Sequence, residues 1–83
     1  MVLRGEQMYI VIEIQTNEDG SVGNFVWKFD AQADAEAKWH SVLATAAKSS
    51  LPVHSCTILR NDGLQLASMY YEHKKPEAED ESN

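Results

Sequence analysis

The chain has 83 residues, 7 basic and 13 acidic side chains, and a formal net charge of −6. That length holds one small domain. It contains no apolar run near the roughly 18 residues of a bilayer crossing, and no basic stripe for nucleic acid or anionic lipid, so neither a membrane nor direct nucleic-acid binding is expected.

The amino end, Met1 to Gln7, has one arginine and no long hydrophobic stretch. It reads as a flexible lead-in and not as a secretory signal. Met8 to Gln15 is β-branched and apolar, with Met8, Ile10, Ile12 and Ile14 on one alternating face, the pattern of a strand. Asn17-Glu18-Asp19-Gly20 supplies turn chemistry, and Val22 to Phe29 is a second strand pattern, so the two form a hairpin.

Asp30 is placed as the N-cap of a helix that runs through an alanine-rich segment, with Asp34 and Glu36 near its positive end and Lys48 near its negative end. Pro52 stops it, because proline disfavours helix at the preceding residue, Leu51. Pro52 to Arg60 is the third strand pattern, Asn61-Asp62-Gly63 the second turn, and Leu64 to Glu72 the fourth strand. From Lys74 onward the chain has charge, one proline and no apolar anchor, so residues 74 to 83 are expected to be a disordered acidic tail. Four acids fall after Pro76, whereas residues 1 to 75 hold nine acids against seven bases. The body is thus nearly neutral and the acidity sits mostly in the tail, where it solubilises or, as a sharper alternative, mimics nucleic-acid charge.

The expected fold is α+β: a ββαββ order over residues 8 to 73, with a four-stranded antiparallel sheet and one helix packed on one face. Register is open. A two-residue loop at Asp19-Gly20 places Ile10, Ile12 and Ile14 on one face with Phe25, Trp27 and Phe29; a glycine bulge places them with Val22, Val26 and Lys28. The first gives the more apolar face and is preferred. In the second hairpin Ile58 and Leu66 meet if Gly63 is the bulge residue.

On the helix, Trp39, Val42, Leu43 and Ala46, with Ala35 a turn earlier, make the i, i+3, i+4, i+7 stripe that lies on a sheet. The other side (Ala37, Ser41, Ala44, Thr45, Lys48) is mostly small, either an ordinary solvated face or a close-packing one. One helix covers one face of four strands, so the opposite face keeps apolar groups in either register. The expected set is Tyr9 and Val11 with Val22 and Val26, or the aromatics if parity flips, extended by Val53, Leu59, Tyr70 and Tyr71. A patch of this kind is unusual on a monomer and points to a homo-oligomer or a protein partner.

Chemistry is thin. The single cysteine, Cys56, cannot form an internal disulfide, and a secreted domain this small usually carries several, so a reducing cytoplasmic setting is expected. His54 and Cys56 sit two apart on one strand face, but no paired metal-ligand spacing accompanies them or His40 and His73, and no glycine-rich phosphate loop exists. No metal, cofactor or enzymatic activity is expected; Cys56 reads as a small core hydrophobe and His54 as a partly buried strand histidine. Trp39, His40, His54, Arg60 and Tyr70 are the residues whose mix of aromatic surface and donors would suit a partner or a small nucleotide-like ligand held between subunits. Each also has an ordinary reading, Trp39 in the core and His40 and Arg60 in solvent.

Three stretches (Tyr9 to Thr16, Ala35 to Leu59 and Tyr70 to His73) resemble a group of short uncharacterised proteins of gut Firmicutes and their phages or mobile elements. The likeness is one of order and composition over residues 8 to 73 and carries no assigned activity or site residues. It implies a phage-linked accessory role such as anti-defence. The resulting expectation is a non-enzymatic module that self-associates and binds a host protein. The alternatives are a sponge for a small nucleotide-like ligand and a small enzyme using histidine and Cys56.

Overall fold

In the computed structural model, which describes residues 7–73, the elements are β1 (Tyr9–Thr16), β2 (Val22–Phe29), α1 (Gln32–Lys48), β3 (Val53–Arg60) and β4 (Gln65–Glu72). The expected ββαββ fold is observed, as one antiparallel sheet of order β2-β1-β3-β4 with α1 on one face. The acidic tail and Met1 to Glu6 lie outside the described residues.

Each strand is set by its β-branched and aromatic content, and each hairpin by a glycine. In the first turn Gly20 N–H donates to Asn17 C=O at 2.9 Å and Asn17 N–H donates to Ser21 C=O at 2.9 Å, with Gly20 at φ +91°. In the second, Gly63 N–H donates to Arg60 C=O at 2.8 Å and Arg60 N–H to Leu64 C=O at 2.9 Å, with Gly63 at φ +94°. Both are three-residue loops closed by a left-handed glycine bulge, a position an L side chain adopts only with strain.

That loop corrects the preferred register. Ile10 pairs with Lys28, Ile12 with Val26 and Ile14 with Asn24, so the isoleucines share a face with Val22 and Val26, while Tyr9 and Val11 share the other with Phe25, Trp27 and Phe29. The extra residue of the bulged loop shifts parity by one, which exchanges the two faces of β2 relative to β1. In the second hairpin Ile58 lies opposite Ala67 and Leu59 opposite Gln65, leaving Leu66 as an irregularity that packs on the core beside Ile58.

The helix start also moves. Ala31, not Asp30, is the N-cap residue, and no side chain caps the helix; Ala35 N–H donates to Ala31 C=O at 3.2 Å instead. The apolar stripe holds: Ala35, Val42, Leu43 and Ala46 are buried, and Trp39 is half-buried against them. Ala35, Val42, Leu43 and Trp39 pack on Val11, Cys56 and Ile58 of the two central strands. Trp39 Nε1–H donates to Cys56 C=O at 3.0 Å, fixing the helix to β3. The small-residue side of α1 (Ala37, Ser41, Ala44, Thr45, Lys48) faces out and is exposed.

Candidate functional site

The period-two alternation of strand side chains gives the sheet two unlike faces. Val11, Glu13, His54, Cys56 and Ile58 point beneath α1 and are buried. Their neighbours along each strand point the other way, onto a face that no described element covers. The register arranges that open face in four rows running from β2 to β4. The rows are Lys28, Ile10, Leu59, Gln65; then Val26, Ile12, Thr57, Ser68; then Asn24, Ile14, Ser55, Tyr70; then Val22, Thr16, Val53, Glu72. Three isoleucines thus form a continuous ridge flanked by Val26 and Val22 on one side and by Leu59 and Val53 on the other. Val26 is 50% exposed, Val22 60% and Tyr70 62%. The polar groups here are small and partly self-satisfied, as Thr57 Oγ1 and Ser68 Oγ lie 2.9 Å apart.

This is not the set expected for the open face. Tyr9 and Val11 lie under the helix, and Tyr71, expected in the patch, alternates away from Tyr70 to pack on the core and stack on His73 at 6.3 Å. The uncovered apolar character persists because the isoleucines replace them.

The titratable groups concentrate on the helix side. His54 is 2% exposed. Its Nε2 lies 2.5 Å from Glu13 Oε2 and its Nδ1 3.0 Å from Ser49 Oγ, which also accepts Leu51 N–H at 3.3 Å. Gln15 Nε2 donates to the same Glu13 oxygen at 2.9 Å. A serine, a histidine and a carboxylate in line are the parts of an acyl-transfer relay, but a relay needs its serine oxygen open to a substrate carbonyl. Here Ser49 Oγ is half-buried and occupied by a backbone donor and by a ring sealed in the core. The cluster fits a tie between the end of α1 and the two central strands. Cys56 is buried beside it, and burial, reinforced by the nearby Glu13 carboxylate, pushes its thiol up to about 11. That is the reverse of an activated nucleophile.

No family model, curated protein or solved structure matches this chain.

The five residues singled out for partner or ligand binding fall in separate places. Trp39 is part of the core rim and His40 stands edge-on to it, ring centroids 5.0 Å apart, at the exposed helix surface. His54 is inside. Arg60 is turned onto its own turn, where Nε donates to Asp62 Oδ1 at 3.1 Å and Nη2 pairs with Oδ2. Only Tyr70 lies on the open face. Within one subunit they form no common cleft. Among the described residues no cluster of three or more histidine, cysteine or acidic side chains comes together to hold a metal, and no helix is long and apolar enough to cross a membrane.

The chain order alone marks one further consequential residue, and the register marks two more. Glu13 shares parity with Val11 in an apolar strand, which is the mark of a buried carboxylate needing a partner. Among the described residues, Lys28 and Glu72 are the only charged strand positions with open-face parity, which the register of the sheet makes visible.

Proposed function

We propose that this chain is a non-enzymatic interaction module that self-associates through the open face of its sheet. The observation that supports this is the isoleucine ridge Ile10, Ile12 and Ile14, set between Val22 and Val26 and continued by Leu59 and Val53, with nothing described lying over it. A second copy is the occupant the surface fits. The face is mostly uncharged and its polar atoms are hydroxyls and amides that pack without a large desolvation cost. Strand spacings give it about 500 Å² per subunit, so a pair would bury on the order of 1,000 Å², the lower limit for a specific interface. That size belongs to the weak, transient class of interface. The non-enzymatic part is supported by the sealed Cys56 and by the engagement of both ring nitrogens of His54. A phage-linked role through a host protein is carried by the resemblance alone, and a cytoplasmic setting by the single cysteine, Cys56.

Sedimentation velocity on the full chain from about 5 to 500 μM tests the reading. A concentration-dependent dimer is expected, and Ile12→Lys, which sets a charge in the centre of the ridge while leaving the helix side untouched, is expected to give a folded monomer. A wild-type chain that stays monomeric throughout overturns it.

A further inference from the structure

Among the described residues, the open face holds one cation and one anion, and they stand at opposite corners. Lys28 begins its row on the outer strand β2, and Glu72 ends the row at the other end of the sheet on the outer strand β4. Both are exposed, and neither makes an ion pair or hydrogen bond among the described residues. Everything between them is neutral. Resting on the self-association proposed above, we infer that the second copy docks in one particular orientation, in which Lys28 of each subunit meets Glu72 of the other.

The reason is symmetry. A dimer of identical faces is related by a two-fold axis lying between the sheets, so wherever one position meets a second, the second also meets the first. Four directions of that axis through the middle of the face decide which corners meet. Along the strands, it lays Lys28 over Gln65 and Glu72 over Val22. Across the strands, it lays Lys28 over Val22 and Glu72 over Gln65. Both leave four charges against neutral partners, two of them on an apolar valine. Along the line joining Lys28 to Glu72, it sets lysine on lysine and glutamate on glutamate. Only an axis perpendicular to that line brings opposite charges together, and it does so twice. It also keeps Val22 and Gln65 at the remaining corners clear of charge and stacks Ile12, Ile14, Ser55 and Thr57 at the centre. The strands of the two sheets then cross steeply, nearer the orthogonal class of sheet packing than the aligned one. The ion pairs lie at the rim, where such pairs set orientation and reject wrong pairings more than they add affinity, while the isoleucine centre supplies the attraction.

Charge exchange tests this on the full chain, with circular dichroism checking that each variant folds. Lys28→Glu alone places two like-charge contacts in the dimer, as does Glu72→Lys alone. Each is expected to weaken homodimerisation about tenfold or more at low salt, with the loss shrinking at high salt. The double exchange, K28E with E72K, is expected to return the affinity to near wild type. Mixing the two single variants is expected to give a heterodimer in preference to either homodimer, because both contacts are then attractive; native mass spectrometry reads that once one of the two variants is uniformly nitrogen-15 labelled to separate the masses. If the wild type dimerises but the single exchanges leave affinity unchanged, or the double exchange and the mixture fail to restore it, the orientation is wrong and self-association stands. A monomeric wild type removes both.

Discussion

Glu13 and His54 meet inside the protein, Oε2 to Nε2 at 2.5 Å, although neither is opposite the other in the sheet: Gln15 faces His54 and Cys56 faces Glu13. The contact is diagonal across β1 and β3, and the serine at the end of α1 holds the other ring nitrogen. Removing one partner leaves the other buried and short of a hydrogen bond. Glu13→Ala or His54→Ala is therefore expected to cost about 2–4 kcal/mol. Replacing both, with Glu13→Leu and His54→Leu, removes the unmet polar groups together and is expected to recover most of that loss. Urea unfolding of the two single variants and the double gives the coupling between them. A single variant that loses under about 0.5 kcal/mol would show that the tie contributes little.

Cys56 is sealed beneath the helix, and its thiol is pushed up to about 11, first by burial and then by the Glu13 carboxylate. A thiol-specific reagent at pH 8 is accordingly expected to label it slowly in the folded chain and at once in denaturant. The same elevation has a sign in stability. The folded state keeps its proton where the unfolded thiol loses it, so this contribution is intact below pH 9 and is lost as pH rises from about 9 to about 11. The fall is on the order of 2–3 kcal/mol. Cys56→Val keeps the packing and lacks the proton, so its stability is expected to decline less over that window. Parallel declines would assign the effect to other groups.

How far the sequence led is clearest in β1 and α1. The alternation of Ile10, Ile12 and Ile14 marked a strand, and the spacing of Ala35, Val42, Leu43 and Ala46 marked the buried stripe, because both follow from local periods. Which side of β1 the helix takes is not a local property. It depends on whether Gly20 closes a two-residue loop or forms a bulge, and Asn17-Glu18-Asp19-Gly20 is compatible with both. The more apolar pairing was a reasonable guide and failed, since the aromatic residues of β2 went with Val11 and left the isoleucines outside. The Glu13–His54 contact was illegible for a related reason: it joins strands whose adjacency only the order β2-β1-β3-β4 reveals. Asp30 lost the cap because Ala31, already extended at φ −112° and ψ 137°, ends the loop one residue later.

Asp62 governs the acid response of the second turn. Its carboxylate accepts from Arg60 and from Leu64 N–H at 3.1 Å, and the Arg60 guanidinium above all holds it down at about 2. A depressed carboxylate contributes stability that is present above its unfolded value of 3.8 and lost as pH falls toward 2. Asp62→Asn is expected to flatten the loss between pH 4 and pH 2 without changing the slope near neutrality. An acid limb identical to wild type would mean that other carboxylates dominate it.

Gly63 sits at φ +94° with open space where a Cβ would be, so substitution there tests backbone strain without a clash. Gly63→Ala is expected to cost about 1–2 kcal/mol, and Gly63→Asn less, because asparagine tolerates the left-handed region better. Equal losses for the two, read from thermal midpoints, would point to something other than φ.

The first turn separates loop chemistry from face selection. Deleting Glu18 leaves Asp19-Gly20 as a two-residue loop between the same partners, Asn17 and Ser21, so every pair from Thr16 and Val22 to Tyr9 and Phe29 can persist. Asp-Gly suits the tight hairpin turn that such a loop requires. If the buried face holds the register, the shortened chain keeps Trp27 beside Lys38 on the helix side and loses no more than about 1–2 kcal/mol, a figure set by the turn and not by the core. Cross-strand α-proton contacts between Ile12 and Val26 in nuclear magnetic resonance spectra, together with the thermal midpoint, decide it. Contacts between Ile12 and Trp27 instead would mean that the loop dictates parity and that the isoleucines can be drawn to the aromatic side. An unfolded chain would show that the bulge itself is required.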